Sequence, residues 1–312
     1  HRPTVNPPPL TELLGVPAPA KINLFLHIVG RRDDGYHLLQ SVFALTDWCD
    51  HLDFRWRADG RVTRHDARPG LLPDNDLCVR AARALQEATG CQQGVDITLD
   101  KQLPAEAGLG GGSSDAASTL LALNRLWGLG LSRRSLMDIG VRLGADVPFF
   151  IGGHAAWVEG IGEQITPVRL PPARLLLVKP ATGASTQRIF GSPELKRDTK
   201  TAILQGFAAN DTQNASSVGG AGWQIPDLKT LLDWGHNDLQ PVAQALCPDI
   251  GLCIQWLESQ GLQGRMSGSG TAVFAVLPAQ WPEVTTAPPA SDWTVKLCSM
   301  RDVHPLASWA SD

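Results

Sequence analysis

Short apolar runs separated by turn residues occupy the first hundred positions and predict β-strands. Residues 21–29 read KINLFLHIV and residues 95–99 read VDITL, and both runs are short and partly alternating. That pattern is typical of strands with one face buried. Residues 41–45 and 51–56 resemble them and predict two further short strands.

Apolar residues recur at helical spacing elsewhere. They predict a helix over residues 76–88, a long helix from Ser114 to about Gly128, and another over residues 248–260. Ser132 is the type of residue that caps a helix, and Gly144 is the predicted end of the helix that follows it. Helices mixed with strands predict an α/β (α+β) protein.

A length of 312 residues predicts two domains of ordinary size. Pro171 and Pro172 precede a new apolar strand, so we place the domain boundary there, with domains at 17–170 and 171–312. Residues 196–222 are polar and rich in Asn, Ser, Gly and Ala, which predicts an exposed insertion.

Composition narrows the class of protein. Apolar residues make up 43% and charged residues 19% of the chain, which is normal for a globular protein. The net charge of -4 and the absence of a basic stripe argue against nucleic acid as a partner. No apolar run approaches the length of a membrane span. The first residues show no secretory pattern.

The six cysteines show neither CxxC spacing nor a histidine at zinc-finger distance. Reduced, mostly buried thiols are therefore expected, and with them a cytoplasmic location. The sequence leaves both a monomer and a homodimer open.

A glycine-rich loop precedes the long helix, and residues 108–117 read GLGGGSSDAA. The consecutive glycines Gly110 to Gly112 destabilise regular structure, so they are expected where backbone approaches a ligand closely. A glycine turn at a helix N-terminus directs backbone N–H groups and the positive end of the helix dipole at one point, which favours phosphate. Ser113 and Ser114 add hydroxyls for phosphate oxygens or for Mg²⁺.

Two other phosphate-binding loops do not fit this segment. A P-loop requires a lysine after its glycines, and none follows here. The dinucleotide fingerprint requires a third glycine where Ser113 stands. Simple helix capping by Ser114 or Asp115 is the second interpretation, although capping needs neither three glycines nor two serines.

Two further segments extend the glycine loop into a pattern. Residues 18–26 read APAKINLFL and residues 266–276 read MSGSGTAVFAV. With the glycine loop, they resemble in order the three motifs of the GHMP kinases, named for galactokinase, homoserine kinase, mevalonate kinase and phosphomevalonate kinase. DGYH at residues 34–37 and LGADVPFF at residues 143–150 resemble the branch whose acceptor is a cytidyl diphosphate ester of methylerythritol.

The resemblance implies a two-domain fold and a reaction. The N-terminal domain would be similar to domain 2 of ribosomal protein S5, and the C-terminal domain would be ferredoxin-like. ATP with Mg²⁺ and a small-molecule acceptor would meet in the cleft between them. The expected reaction moves the γ-phosphoryl group of ATP to the 2-hydroxyl of the acceptor, in the non-mevalonate route to isoprenoids.

Lys21 and Asp146 are the expected catalytic pair. From the residues alone, Asp146 fits a turn carboxylate equally well, and Lys21 fits an exposed lysine. The apolar neighbours of Asp146 suggest a desolvated carboxylate that needs a cation, and Lys21 is a candidate for that cation. In the family, the matching positions form the active-site pair, with the carboxylate accepting the hydroxyl proton.

The remaining site residues follow from the resemblance. Tyr36 and Phe190 would sandwich the cytosine, His37 would read its edge, and Asn23 and Thr186 would contact the acceptor. For Phe190, ordinary core packing is an equal alternative. The expected ATP-binding residues are Pro104, Ala107, Gly108, Leu109, Gly110, Gly111, Gly112, Ser113 and Ser114, with Asn75, Asp76 and Lys101 as adenine contacts.

Three alternatives stay open at this point. A homoserine or mevalonate type of GHMP kinase would keep the fold and ATP but change the acceptor. A non-catalytic relative would bind nucleotide only, which the presence of both Lys21 and Asp146 disfavours. A ribosomal-protein-like RNA binder is disfavoured by the acidic net charge.

Overall fold

Two long strands form the centre of the fold in the computed structural model, which describes residues 7–67, 77–210, 222–281 and 286–312. They are β1 (Glu12–Arg31) and β2 (His37–Arg57), an antiparallel pair. The two short strands predicted within residues 41–56 are therefore parts of one strand. A polar stretch interrupts the hydrophobic pattern of β2, but its pairing with β1 continues there, with Pro17 opposite His51 and Pro19 opposite Cys49.

Most of the other predicted elements are present, with shifted ends. The remaining strands are β3 (Val62–Asp66), β4 (Gly94–Asp100), β5 (Ala156–Glu159), β6 (Gln164–Arg169), β7 (Arg174–Lys179), β8 (Ala209–Asn210), β9 (Trp223–Gln224), β10 (Arg265–Met266), β11 (Val273–Val276) and β12 (Thr294–Arg301). The helices are α1 (Leu77–Thr89), α2 (Gly111–Leu126), α3 (Arg133–Gly140), α4 (Val147–Gly152), α5 (Thr186–Phe190), α6 (Leu228–Trp234), α7 (Gln240–Leu246) and α8 (Asp249–Ser259), with short 3₁₀ turns at Leu204–Gly206 and Ala307–Trp309.

Two helix ends differ from the prediction. The long helix α2 begins at Gly111, within the glycine run, rather than at Ser114. Helix α3 ends at Gly140 rather than Gly144. A Cβ on Gly140 would lie 2.8 Å from Val147 Cγ1, so α3 ends where it packs closely against α4.

One continuous sheet joins the two halves of the chain. Its main order is β10-β11-β7-β12-β2-β5-β6-β9-β8, with β1 and β4 also paired to β2. Strand β12 pairs with β7 along most of its length and with β2 at Met300 and Arg301. The last strand thus bridges the N-terminal and C-terminal halves, and the boundary at residues 170 and 171 stays a prediction.

The buried core surrounds α2. Its side chains from Ser114 to Leu126 are almost all buried, between β1 and β2 on one side and α1, α3 and α4 on the other. Apolar residues of α7 and α8 cover the opposite half, against β7 and β11. Among the described residues, no helix has the length and apolar character needed to cross a bilayer.

The segment predicted as an exposed insertion is fastened to the central strands over its described part, residues 196–210. The backbone N–H of Thr199 donates to Ile28 O at 3.1 Å. The side chain of Gln40 binds both backbone groups of Ala202, each at 2.8 Å. Most of these residues are exposed, as predicted, but the segment is bound to β1 and β2, which composition alone does not show. The insertion's other residues, 211–221, lie outside the described ranges.

Arg133 fastens the C-terminal tail to the N-terminal half. Its buried guanidinium donates to Ile151 O at 2.7 Å, to Ala310 O at 2.8 Å and to Asp312 Oδ1 at 2.7 Å. The backbone N–H of Arg133 also donates to Ser311 O at 2.7 Å. These bonds satisfy carbonyl groups of the tail that packing removes from water.

Arg133→Met should lower the free energy of unfolding by about 3 kcal/mol, because buried carbonyl groups lose their donor. Urea denaturation followed by circular dichroism measures this change. The neighbouring exposed Arg134 on α3 is the control, and Arg134→Met should change stability by less than about 0.5 kcal/mol. Equal urea midpoints for the two variants would contradict the role of Arg133.

Candidate active site

The N-terminus of α2 opens into a cavity of about 860 Å³. The N-cap of α2 is Gly110, with φ 68°, and no side chain caps this helix. The first backbone N–H groups therefore remain available to an anion, supported by the helix dipole. Of the predicted ATP-binding residues, those lining this cavity are Lys101, Pro104, Ala107, Gly108, Leu109, Gly110, Gly111, Gly112 and Ser113.

The two serines of the loop have different positions. Ser113 lines the cavity, whereas Ser114 is fully buried and its hydroxyl donates to Pro19 O at 2.6 Å. The prediction that Ser114 contacts phosphate or Mg²⁺ is therefore corrected, since this hydroxyl ties α2 to β1. Asn75 and Asp76 lie outside the described residues, and the next residue, Leu77, lines the cavity.

Close contact between two loops explains the first glycine of the motif. Gly108 has φ 75°, and a Cβ there would lie 2.0 Å from Ser267 O. The Ser267 hydroxyl donates to Gly108 O at 2.9 Å, and Thr271 N donates to Glu106 O at 3.1 Å. The glycine loop thus rests on the loop of the third motif, and only glycine fits at this contact.

Lys101 lies beneath the glycine loop between two buried carboxylates. Its Nζ is 2.7 Å from Asp50 Oδ2 and 2.9 Å from Asp115 Oδ2. Burial lowers the pKa of Lys101, but Asp115 and Asp50 outweigh that effect and the pKa lies above its ordinary value. Burial and the adjacent Asp50 raise the pKa of Asp115, although Lys101 opposes them. Lys101 thus stabilises the loop as well as lining the cavity.

Lys21 and Asp146 lie side by side. Lys21 Nζ is 3.7 Å from Asp146 Oδ2 and 4.5 Å from the centre of the Phe43 ring. Lys21 is 4% exposed, and its backbone N–H donates to Leu109 O at 2.9 Å. The pKa of Lys21 is lowered by burial, which Asp146 partly counteracts. A Cβ on Gly110 would lie 3.0 Å from Lys21 Cγ, so the glycine loop passes directly over this lysine.

The environment of Asp146 differs from the prediction. The side chain is 31% exposed, so it is not desolvated to the degree that its apolar neighbours suggested. It stands at the N-cap of α4 without making a side-chain cap bond. A proton-accepting carboxylate at that position is open to a ligand on one side and paired with an ammonium on the other.

Asn23 positions Lys21. The Asn23 side chain is buried, its Oδ1 accepts from Lys21 Nζ at 2.5 Å, and its Nδ2 donates to Ser41 Oγ at 3.1 Å. Asn23 does not line either cavity described here. Its predicted contact with the acceptor stays a prediction.

Tyr36, His37 and Phe190 come together at a second cavity of about 500 Å³. The His37 and Phe190 rings are 4.9 Å apart and tilted by 46°, and Tyr36 is 58% exposed. Phe190 is partly buried and also packs against the core around α7 and α8, so both interpretations of this residue stay open. The other lining residues are Asp34, Gly35, Leu39, Ala145 and Ile161.

Thr186 lies at the first cavity rather than the second. It begins α5, and its Oγ1 is 2.8 Å from Ser269 Oγ. Its predicted contact with the acceptor stays a prediction.

The predicted catalytic pair, Lys21 and Asp146, lies between the two cavities. Ala145, directly before Asp146, lines the second cavity, and the glycine loop over Lys21 lines the first. A group held in one cavity can therefore meet a group held in the other at Asp146.

Two contributors to the site were not predicted from the sequence. Ser267 was seen only as part of a motif, with no indication that it bonds Gly108. Arg197, in the segment treated as an insertion, donates to His37 Nε2 at 2.9 Å. Neither contact has a local pattern, because the partners are separated by 159 and 160 positions.

Comparisons with known proteins agree with this geometry. The model of the GHMP kinases N terminal domain matches residues 76–154, and that of the GHMP kinases C terminal region matches residues 224–283. A 4-diphosphocytidyl-2-C-methyl-D-erythritol kinase of Polaromonas naphthalenivorans is 54% identical over 99% of this chain and 99% of its own. Another, from an Acidovorax species, is 57% identical over 96% of this chain and 99% of its own.

A solved structure agrees with both results. The crystal structure of a 4-(cytidine 5'-diphospho)-2C-methyl-D-erythritol kinase superposes with a TM-score of 0.62 at 32% identity, over 85% of this chain and 89% of that one. The fold and the two cavities thus define a GHMP kinase, and the predicted two-domain α/β fold is confirmed. Within that class, the chain belongs to the 4-diphosphocytidyl-2-C-methyl-D-erythritol kinase family.

Gly108→Ala should reduce ATP binding and turnover by about 100-fold or more, because the new methyl group would displace the loop from Ser267. Gly128→Ala is a matched control, since Gly128 has a similar φ of 63° but nothing within 4 Å of the added Cβ. Calorimetric titration with ATP and steady-state kinetics compare the two variants. Equal losses in both variants would mean that backbone strain, rather than the loop contact, is responsible.

Proposed function

We propose that this protein transfers the γ-phosphoryl group of ATP to the 2-hydroxyl of 4-diphosphocytidyl-2-C-methyl-D-erythritol. The observation that carries the proposal is the Lys21–Asp146 pair between an anion-binding loop and an aromatic cavity. The names of the relatives agree with this acceptor. The reaction would be a step of the non-mevalonate route to isoprenoids. It would take place in the cytoplasm, where cysteines whose spacing fits neither a disulfide framework nor a metal site stay reduced.

ATP would occupy the first cavity with its phosphates at the N-terminus of α2. Gly110 to Gly112 offer backbone N–H groups there. These donors are already oriented by the fold, so they do not have to reorient when negative charge moves to the leaving phosphate. The Ser113 hydroxyl is a hard oxygen donor facing the same cavity, so it fits Mg²⁺, with phosphates and water as further ligands. When bound, Mg²⁺ would neutralise charge on the phosphates.

The cytidyl group would occupy the second cavity. A pyrimidine presents two faces and a hydrogen-bonding edge, and Tyr36 and Phe190 offer aromatic surface while His37 offers a polar edge. Binding the base there places the attached polyol toward Ala145 and Asp146. This arrangement would bring the hydroxyl to Lys21 and Asp146, close to the Asn23 side chain that holds the lysine.

Asp146 would accept the proton of the attacking hydroxyl, and Lys21 would stabilise the negative charge that develops on its oxygen. The buried ammonium of Lys21 is held by Asn23 Oδ1, so it needs no rearrangement during transfer. The partial exposure of Asp146 leaves room for the hydroxyl to approach its free side.

The alternative acceptors fit less well. Homoserine and mevalonate carry no base, so they would leave the aromatic cavity at Tyr36 empty. A non-catalytic nucleotide-binding protein would have no need for a buried lysine beside an accessible carboxylate. The partner of this site is accordingly a small molecule, and the acidic net charge of -4 disfavours nucleic acid.

Purified protein with Mg²⁺ and ATP should release ADP when the cytidyl ester is added, measured by a coupled ADP assay. Neither mevalonate nor homoserine should substitute, because neither provides a group for the second cavity. ADP release with mevalonate or homoserine, and none with the cytidyl ester, would overturn the assignment.

Asp146→Asn should lower kcat by roughly 100-fold or more, because the amide cannot accept the hydroxyl proton. The KM for ATP should change little, since ATP contacts the other cavity. Asp138→Asn on α3 is the control, because Asp138 is exposed and pairs only with Arg134 at 3.5 Å among the ion pairs of the described residues. A near-normal kcat for Asp146→Asn would reduce Asp146 to a positioning role.

A further inference from the structure

We propose that Arg197 selects the tautomer of His37 and thereby makes the second cavity prefer cytosine to uracil. The inference rests on the function proposed above and adds to it a residue outside the recognised motifs. Arg197 is a positioning residue, because it would act on the base only through His37.

All three nitrogens of the Arg197 guanidinium are engaged. Nε donates to His37 Nε2 at 2.9 Å, and one terminal nitrogen donates to Phe190 O at 2.7 Å and Ser192 O at 3.0 Å. The other donates to Leu195 O at 3.2 Å. A planar guanidinium held at three points cannot rotate freely, so the donor aimed at His37 is fixed in place.

The donor fixes where the proton of His37 resides. Arginine stays protonated and can only donate, so Nε2 of His37 must offer its lone pair. The neutral ring then carries its proton on Nδ1. Burial lowers the pKa of His37, and the adjacent positive charges of Arg197 and Arg31 lower it further, which disfavours the doubly protonated form. Asp34, the acidic residue lining this cavity, pairs with Arg32.

The proton on Nδ1 gives the cavity a donor to present to the base. Nε2 is occupied by Arg197, so Nδ1 is the ring nitrogen left for a ligand. Cytosine has acceptors at N3 and O2, whereas uracil carries a proton on N3. A fixed donor directed at N3 therefore pairs with cytosine and meets the N3–H of uracil, and opposed donors leave one of them without an acceptor.

The same guanidinium also fixes the aromatic wall of the cavity. Its bond to Phe190 O holds the end of α5 near His37, whose ring is 4.9 Å from that of Phe190. The backbone two residues further on is bound to β1, since Thr199 N donates to Ile28 O. Arg197 is thus anchored to the central strands.

The tautomer can be observed directly by ¹⁵N NMR of the imidazole in the intact protein, with His37→Gln used to assign the resonances. The wild type should show the proton on Nδ1 at neutral pH. In Arg197→Met the ring should exchange between tautomers, and its pKa should rise toward the ordinary value of 6.5. A proton on Nε2 in the wild type would overturn the proposal.

Base selection can be measured by calorimetric titration with CDP and UDP, which requires no phosphoryl transfer. The wild type should prefer CDP, and Arg197→Met should lower the CDP-to-UDP affinity ratio roughly tenfold or more. Arg197→Lys, which keeps a cationic donor, should retain part of the ratio. Arg188→Met, an exposed position on α5, should leave it unchanged.

A double-mutant cycle tests whether Arg197 acts through His37. In a His37→Ala background, Arg197→Met should not change the CDP-to-UDP ratio further. An unchanged ratio in the single Arg197→Met variant, or an equal change in both backgrounds, would overturn the proposal. If Arg197→Met does not fold, the CDP-to-UDP ratio can be compared in the same two backgrounds with Arg197→Lys and Arg197→Gln.

Failure of this inference and failure of the proposed function can be told apart. Absence of ADP release from the cytidyl ester would overturn the function, while NMR and calorimetry would still decide the role of Arg197. Normal turnover of the ester with a ratio insensitive to Arg197 would overturn this inference alone.

Discussion

A buried ammonium has to be paired, and the site is arranged around that requirement at Lys21. The ammonium lies near Asp146, donates a hydrogen bond to Asn23 Oδ1, and lies over the ring of Phe43. Its backbone is bound to Leu109 in the glycine loop. Because removing a charge from water is costly without partners, each of these groups is constrained by the lysine and constrains it in turn. The glycine loop and Asp146 therefore keep a fixed position relative to each other.

Contacts between distant loops hold the nucleotide cavity open in a defined shape. The glycine loop rests on the third-motif loop at Gly108 and Ser267, and it is supported from beneath by Lys101 between Asp50 and Asp115. The loop can leave its helix N-terminus uncapped because other contacts stabilise it. An uncapped N-terminus is what an anion needs, so structural support and ligand binding are divided between different groups.

The proposed selection of the base relies on a segment that local patterns describe poorly. Residues 196–210 are fastened to β1 and β2 by Thr199 and Ala202, and Arg197 extends from this segment to His37. Base recognition thus combines a motif residue with one that has no motif. Fixing a side chain by contacts from another element limits its motion before the ligand arrives, which lowers the cost of binding.

The sequence alone determined most strands and helices of the core and the glycine loop, because those features depend on local periodicity and on the spacing within one motif. It predicted the pair formed by Lys21 and Asp146 only through the family resemblance, since the two residues lie in separate motifs. Tertiary structure decided the rest. Ser114 and Asn23 carry polar groups suited to ligands, but folding placed them against Pro19 and Lys21, where protein atoms use their hydrogen bonds. Arg197 became part of the base cavity only through a contact across 160 positions. Hydrogen-bonding capacity is a property of the residue, whereas the choice between protein and ligand as partner depends on which groups folding brings within reach.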